Sequence, residues 1–210
     1  MALAGASIVL GAGDTIGVTG RSGSGKSSLL YCLAGIVRPD AGRVAYAGRD
    51  LSTGDDDELS EIRRRDFGFV FQFGELVPEL SLHENVSLPL RLNRVGRAET
   101  RERTLEIVEM LGITDCAHKR PGEVSGGQAQ RAAVARALVH RPRVIFADEP
   151  TGSLDTENSE KVLGAFIDLA RARGTTVVLV THEPAIAAIC DRHVDVVDGR
   201  VRDARASVLL

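Results

Sequence analysis

Nine consecutive residues, Gly20-Arg21-Ser22-Gly23-Ser24-Gly25-Lys26-Ser27-Ser28, carry the strongest chemical signal in the sequence. They fit G-x-x-x-x-G-K-[ST], a spacing whose glycines let the backbone curl until successive N–H groups converge on phosphate oxygens. Lys26 then reaches the β- and γ-phosphates of a nucleotide, and the Ser27 hydroxyl is placed to ligate Mg²⁺. A glycine turn with an incidental lysine would need no particular surroundings. Here the apolar run Thr15–Thr19 leads in and a helical segment opens near Lys26, the strand–loop–helix setting that phosphate binding requires. The amino end of that helix adds partial positive charge at the same point.

Carboxylates stand where such a site needs them. Val144-Ile145-Phe146-Ala147 reads as a buried strand and ends in Asp148–Glu149. Acids there would also serve as a plain strand-end cap, but a phosphate loop in the same chain favours chemistry. The carboxyl edge of an open α/β sheet is where ligands bind. Asp148 suits the Mg²⁺ shell, and Glu149 is positioned to orient and polarise the attacking water. His182 follows the β-branched run Thr176–Thr181 at the same edge, within reach of a γ-phosphate. The string beginning at His182 is no zinc helix, because position 186 is Ile. His83, His118, His140 and His193 lack ligand-like spacing and read as structural.

The elements that hold these residues alternate. Strands are expected at Ser7–Leu10, Thr15–Thr19, Arg43–Ala47, Phe67–Gln72, Val144–Ala147, Thr176–Thr181 and Val194–Val197, with a tight turn at Asp198–Gly199. Several are continuously apolar, as in a mostly parallel sheet covered on both faces. Helices are expected at Lys26–Gly35, Ala98–Leu111, Gln128–Val139 and Thr156–Arg173, which makes the class α/β. From about Glu75 to Arg141 only helical patterning is visible, with Pro78, Pro89, Pro121 and Pro142 as breaks. One domain is therefore expected over 1–210, with a core lobe of about 1–74 and 142–210 and an inserted helical lobe of about 75–141. Asp55–Glu58 followed by Arg63–Arg65 reads as a solvated helix with charges that complement its dipole.

Composition narrows the classes. The 210 residues are 43% hydrophobic, enough for a full core, and the net charge of −3 offers no basic face for nucleic acid. Only three of 26 basic residues are lysines, which reads as genome composition. Cys32, Cys116 and Cys190 are odd in number and far apart, so a reduced cytosolic setting is expected rather than a disulfide or zinc framework. The amino terminus lacks the positive start of a secretory signal, and no apolar run is long enough to span a bilayer. Any service to a membrane would run through a partner.

Val124-Ser125-Gly126-Gly127-Gln128 closely resembles the LSGGQ signature of ABC ATPases, with Val for Leu. Gln72 resembles the family's Q-loop, Ser153-Leu154-Asp155 its D-loop and His182 its H-loop, all in the family's order. The resemblance covers nearly the whole chain. It implies a P-loop NTPase core with a mostly parallel sheet, a small antiparallel β part near the N-terminus and an inserted helical lobe. It further implies catalytic roles for Glu149, His182 and Gln72. Nucleotide contacts would come from Gly20–Ser28, Ser125, Gly126, Gly127, Gln128 and Asp155, and Mg²⁺ contacts from Ser27, Gln72 and Asp148. Ser125–Gly127 starts a helix and so is a second phosphate site; in the family the two sites belong to different subunits packed head to tail. The implied partners are a second copy or related ATPase chain and a membrane permease, not nucleic acid. The implied location is the inner face of the cell membrane, reached through the permease near Gln72–Leu80, where Phe73, Leu76 and Val77 would meet it. Phe69–Leu90 and Arg120–Leu138 resemble the subgroup of lipoprotein release, macrolide export and cell-division ATPases.

The alternative within that subgroup is a nucleotide-gated module that signals through a membrane protein. A soluble DNA-repair or ribosome-associated relative is disfavoured by the single nucleotide domain and the missing basic stripe. One departure stands out. No aromatic residue precedes Gly20, where family members usually stack one on adenine; either the start is truncated or other contacts hold the base, and weak ATP affinity and loose ATP/GTP discrimination are expected.

Overall fold

The computed structural model describes residues 2–71, 75–150 and 156–203, with 156–162 and 203 described by backbone alone. β1 (Thr15–Thr19) feeds the loop into α1 (Lys26–Leu33), and β2 (Ala45–Tyr46) with β3 (Arg49–Asp50) makes a small antiparallel hairpin. Ala47 and Gly48 both take positive φ, the two-residue turn that matches strand twist. α2 (Asp56–Asp66) and β4 (Phe67–Val70) follow. α3 (Leu82–Leu92), α4 (Arg97–Met110), 3₁₀ turns at Thr114–Cys116 and Pro121–Glu123, and α5 (Gly126–Leu138) come next. β5 (Val144–Asp148), α6 (Thr156–Ala172), β6 (Thr176–Val180), α7 (Pro184–Ala187), β7 (Arg192–Val197) and β8 (Arg200–Asp203) complete the described chain. Among the described residues, no helix is long and apolar enough to cross a membrane.

Six strands form the main sheet in the order β4-β5-β6-β1-β7-β8. All neighbours pair parallel except β7 with β8, an antiparallel hairpin turned at Asp198 and Gly199. The continuous apolar runs now have their reason. Val144 and Phe146 of β5, and Val178 and Val180 of β6, face the core beneath α1 and α2. Their neighbours Ile145, Ala147, Val177 and Leu179 face the opposite core, against α3, α5 and α6. Burial on both faces leaves no room for polar alternation. Asp148 pairs in register with Val180, so β5 and β6 end together and β1 lies beside them. That common edge carries the loop of 20–25, Glu149 and His182.

α2 forms as expected. The Asp55 carboxylate caps it by accepting from the Glu58 N–H, with acids in its first turn and Arg63, Arg64 and Arg65 in its last.

Three expectations need correcting. Ser7–Leu10 is not a strand. Its apolar side chains Ile8 and Leu10 rest on the core, but among the described residues no neighbouring backbone completes a ladder there. The expected strand Arg43–Ala47 shortens to two residues because Ala47 begins the hairpin turn. Pro89 does not break its helix but lies within α3. An interior proline costs about 3 kcal/mol. Leu82, Val86 and Leu90 of the same helix are fully buried, and each contributes roughly 1.5–3 kcal/mol. Packing wins.

Candidate active site

The loop between β1 and α1 is built to receive an anion. Gly20 (φ 146°) and Gly25 (φ 107°) occupy backbone regions closed to side chains, and a Cβ at Gly20 would strike the Val196 carbonyl. Gly25 is also the N-cap of α1, and no side chain caps that helix. Its first N–H groups are therefore left for a ligand. The Gly199 N–H, in the β7–β8 turn, donates to the Ser24 carbonyl at 2.9 Å and braces the loop from behind. Lys26, almost fully buried, donates from Nζ to the carbonyls of Gly20 (2.9 Å) and Arg21 (3.1 Å). An ammonium has three hydrogens, so one remains for a phosphate oxygen.

A cavity of about 590 Å³ opens over this loop, lined by Ala2, Ser22, Gly23, Gly25, Lys26, Ser27, Ser28, Glu149 and His182. Glu149 reaches it from the turn after β5 with φ at 47°, a left-handed backbone costly for a residue with a side chain. Its own N–H donates to the Val180 carbonyl, which fixes that turn to β6. A carboxylate only accepts, so Nδ1 of His182 donates to Glu149 Oε2 at 2.8 Å. The pair is asymmetric in exposure: the Glu149 side chain is 16% exposed and that of His182 is 65%.

Asp148 lies deeper. Its Oδ2 accepts from the Tyr31 hydroxyl at 3.2 Å, while Oδ1 is buried without a hydrogen-bond partner among the described residues. Burial first, and then the adjacent Asp148 charge, pushes the Tyr31 phenol up, so it is a donor at neutral pH. A lone buried carboxylate oxygen is costly unless something cationic or protic meets it. Among the described residues no group of three or more His, Cys, Asp or Glu gathers around a metal position. An oxygen-rich Mg²⁺ shell completed by a hydroxyl, phosphates and water suits this donor set.

The remaining candidates are elsewhere. Ser125 is the N-cap of α5 and is exposed; its Oγ accepts from the Gln128 N–H (3.3 Å) and Gln128 Oε1 accepts from the Ser125 N–H (3.0 Å). Gly126 and Gly127 form the first turn, and none of these four residues lines the cavity. Gln72, Phe73, Ser153, Leu154 and Asp155 lie outside the described residues. Leu76 is partly buried against the core, and the loop carrying Val77 is pinned by Asn85, whose side chain is fully buried and bonds to Val77 and Leu80. Tyr31, Ala2 and Asn85 were not singled out in the sequence. Tyr31 had a findable signal, since it stands four residues after Ser27 on one helix face.

A phosphate loop, a strand-end Asp–Glu pair and a facing histidine on one edge of a parallel sheet define a P-loop nucleotide hydrolase. The chain belongs to the ABC transporter family, whose model matches residues 3–152. It is an ATP-binding, ATP-hydrolysing subunit of the transporter type. It is 44% identical over 200 residues to the lipoprotein-releasing system ATP-binding protein LolD of Bacteroides thetaiotaomicron, covering 95% of this chain and 92% of that one. It is 43% identical to the macrolide export ATP-binding/permease protein MacB of Chromobacterium violaceum, over 92% of this chain but 30% of the larger protein. Among solved structures, a dimeric post-hydrolysis state of the ATP-binding cassette MJ0796 bound to ADP and Pi matches with a TM-score of 0.89. That match has 37% identity over 96% of this chain and 90% of that one.

Proposed function

We propose that two copies of this chain, or one copy and a related ATPase chain, close head to tail around two MgATP and drive a membrane permease. The observation that supports this is that one chain holds half of a phosphate site. Lys26, Glu149 and His182 share the cavity, whereas Ser125 is exposed at the amino end of α5 and does not line it. Ser125 Oγ accepts within its capping box and keeps its own hydrogen to donate to a phosphate. The similar cassette MJ0796 is dimeric, which supports pairing of two copies.

In this reading the backbone of Gly20 to Ser28 and the Lys26 ammonium hold the phosphates of one ATP. Ser125, Gly126, Gly127 and Gln128 of the partner copy cover the γ-phosphate, with Asp155 at the join. Ser27, Asp148 and Gln72 would hold Mg²⁺, which when bound spreads charge developing on the phosphates. Glu149 accepts a proton from water as its oxygen attacks the γ-phosphorus and the bond to the β-phosphate oxygen breaks, giving ADP and phosphate. His182, already bonded to Glu149, holds that carboxylate in place and reaches the γ-phosphate position.

The permease would seat between a core lobe of about 1–74 and 142–210 and a helical lobe of about 75–141. Its contact would be the loop with Leu76 and Val77 that Asn85 pins. The Chromobacterium relative joins ATP-binding and permease functions in one protein, and this chain matches 30% of it. That relative's name supports a permease as the partner at the inner face of the membrane, in an export or lipoprotein-release direction.

Replacing Glu149 by Gln should lower phosphate release by about 100-fold or more while ATP binding persists. Unchanged turnover would remove Glu149 from the chemistry.

A further inference from the structure

Tyr31 stands outside every motif, yet it touches the site. It lies four residues after Ser27, so the two side chains share one face of α1, and the Tyr31 side chain reaches the end of β5. Its hydroxyl, half-buried, donates to Asp148 Oδ2 at 3.2 Å, across 117 residues of chain. A carboxylate on a short stem can turn about its terminal bond, a torsion with a broad, shallow profile. Anchoring one oxygen removes that freedom. The other oxygen, Oδ1, is left buried and without a partner.

We propose that Tyr31 is a positioning residue for divalent-cation binding: its phenol fixes the Asp148 carboxylate so that Oδ1 is aimed as a metal ligand beside Ser27. This rests on the reading of Asp148 as part of the Mg²⁺ shell. The hydrogen bond does for a carboxylate what outer partners do for other metal ligands, orienting it before the ion arrives. A phenylalanine at 31 would keep the packing and the helix and remove only the donor.

The experiment uses the full chain with Mn²⁺ as the probe, titrated by electron paramagnetic resonance in the presence of saturating ADP. Nucleotide affinity is measured separately in EDTA. Tyr31→Phe is expected to weaken Mn²⁺ binding about tenfold, the lower end for loss of an outer-shell partner, while metal-free ADP affinity stays within twofold. Asp148→Asn, run beside it, should weaken Mn²⁺ binding at least as much. Equal Mn²⁺ affinity in Tyr31→Phe and the parent chain, with Asp148→Asn impaired, would overturn the role of Tyr31 alone. Equal affinity in Asp148→Asn would overturn the metal assignment and Tyr31's role with it. A parallel loss of metal-free ADP affinity in Tyr31→Phe would show a general loop defect and would also overturn the proposal.

Discussion

Lys26 satisfies two loop carbonyls with its ammonium, and in the proposed site a phosphate would share it with them. Replacing Lys26 by Ala removes that charge together with the loop's internal tie. Hydrogen bonds to charged groups contribute about 1.5–3 kcal/mol, so ATP affinity should fall at least tenfold by isothermal titration; retained affinity would contradict the role. Among the described residues no aromatic ring lines the cavity, and Ala2 stands at its wall beside Gly25. Stacking contributes roughly 1–3 kcal/mol per base. ATP and GTP should accordingly bind with affinities within several-fold of each other, and tight adenine-selective binding would refute this. The residues that act at fixed sequence offsets were legible: Lys26 and Ser27 after their glycines, Asp148 and Glu149 after their strand. Tyr31 shows in the sequence only as a position four residues after Ser27; its bond to Asp148 does not, because that partner is 117 residues distant and only the fold brings them together.

At the scale of elements, strands buried on both faces were the easiest to read, since β5 and β6 leave no polar position to confuse the pattern. Ser7–Leu10 misled because apolar content marks a face that packs, whereas a strand also needs a neighbouring backbone. Pro89 misled in the other direction, as buried neighbours on α3 outweigh its local cost. The join between α5 and β4 carries a pH dependence. His140 places Nε2 at 3.0 Å from the Phe67 carbonyl, and its Nδ1 is buried without a partner among the described residues. Burial pushes its imidazole below the ordinary value of about 6.5, with the Phe67 bond and Asp66 pulling only partly back. Between the folded value and about 6.5 the unfolded chain holds a proton that the folded chain lacks. This contribution is therefore complete above that pH and is lost as pH falls through the window. Melting temperature should drop from pH 7 to pH 5, and less steeply in His140→Asn. Equal slopes would show that His140 is not the group responsible.

α1 presents an uncapped amino end over the cavity, and α5 presents a capped one at Ser125 that lines no part of it. In the proposed dimer a second copy turns its α5 end toward this chain's α1 end and completes the site, the geometry of a two-fold pair. A Glu149→Gln chain should accordingly run as a monomer with ADP and as a dimer with ATP in light scattering; one species under both conditions would count against ATP-driven pairing. The most direct test mixes two inactive chains, Lys26→Ala and Ser125→Glu. The first lacks its phosphate lysine, and the second carries a carboxylate where the partner's γ-phosphate should lie. Each mixed pair holds one site in which an intact Lys26 faces an intact Ser125. The mixture should hydrolyse ATP well above the sum of the two chains measured alone, and a rate no greater than that sum would contradict an active site shared between copies.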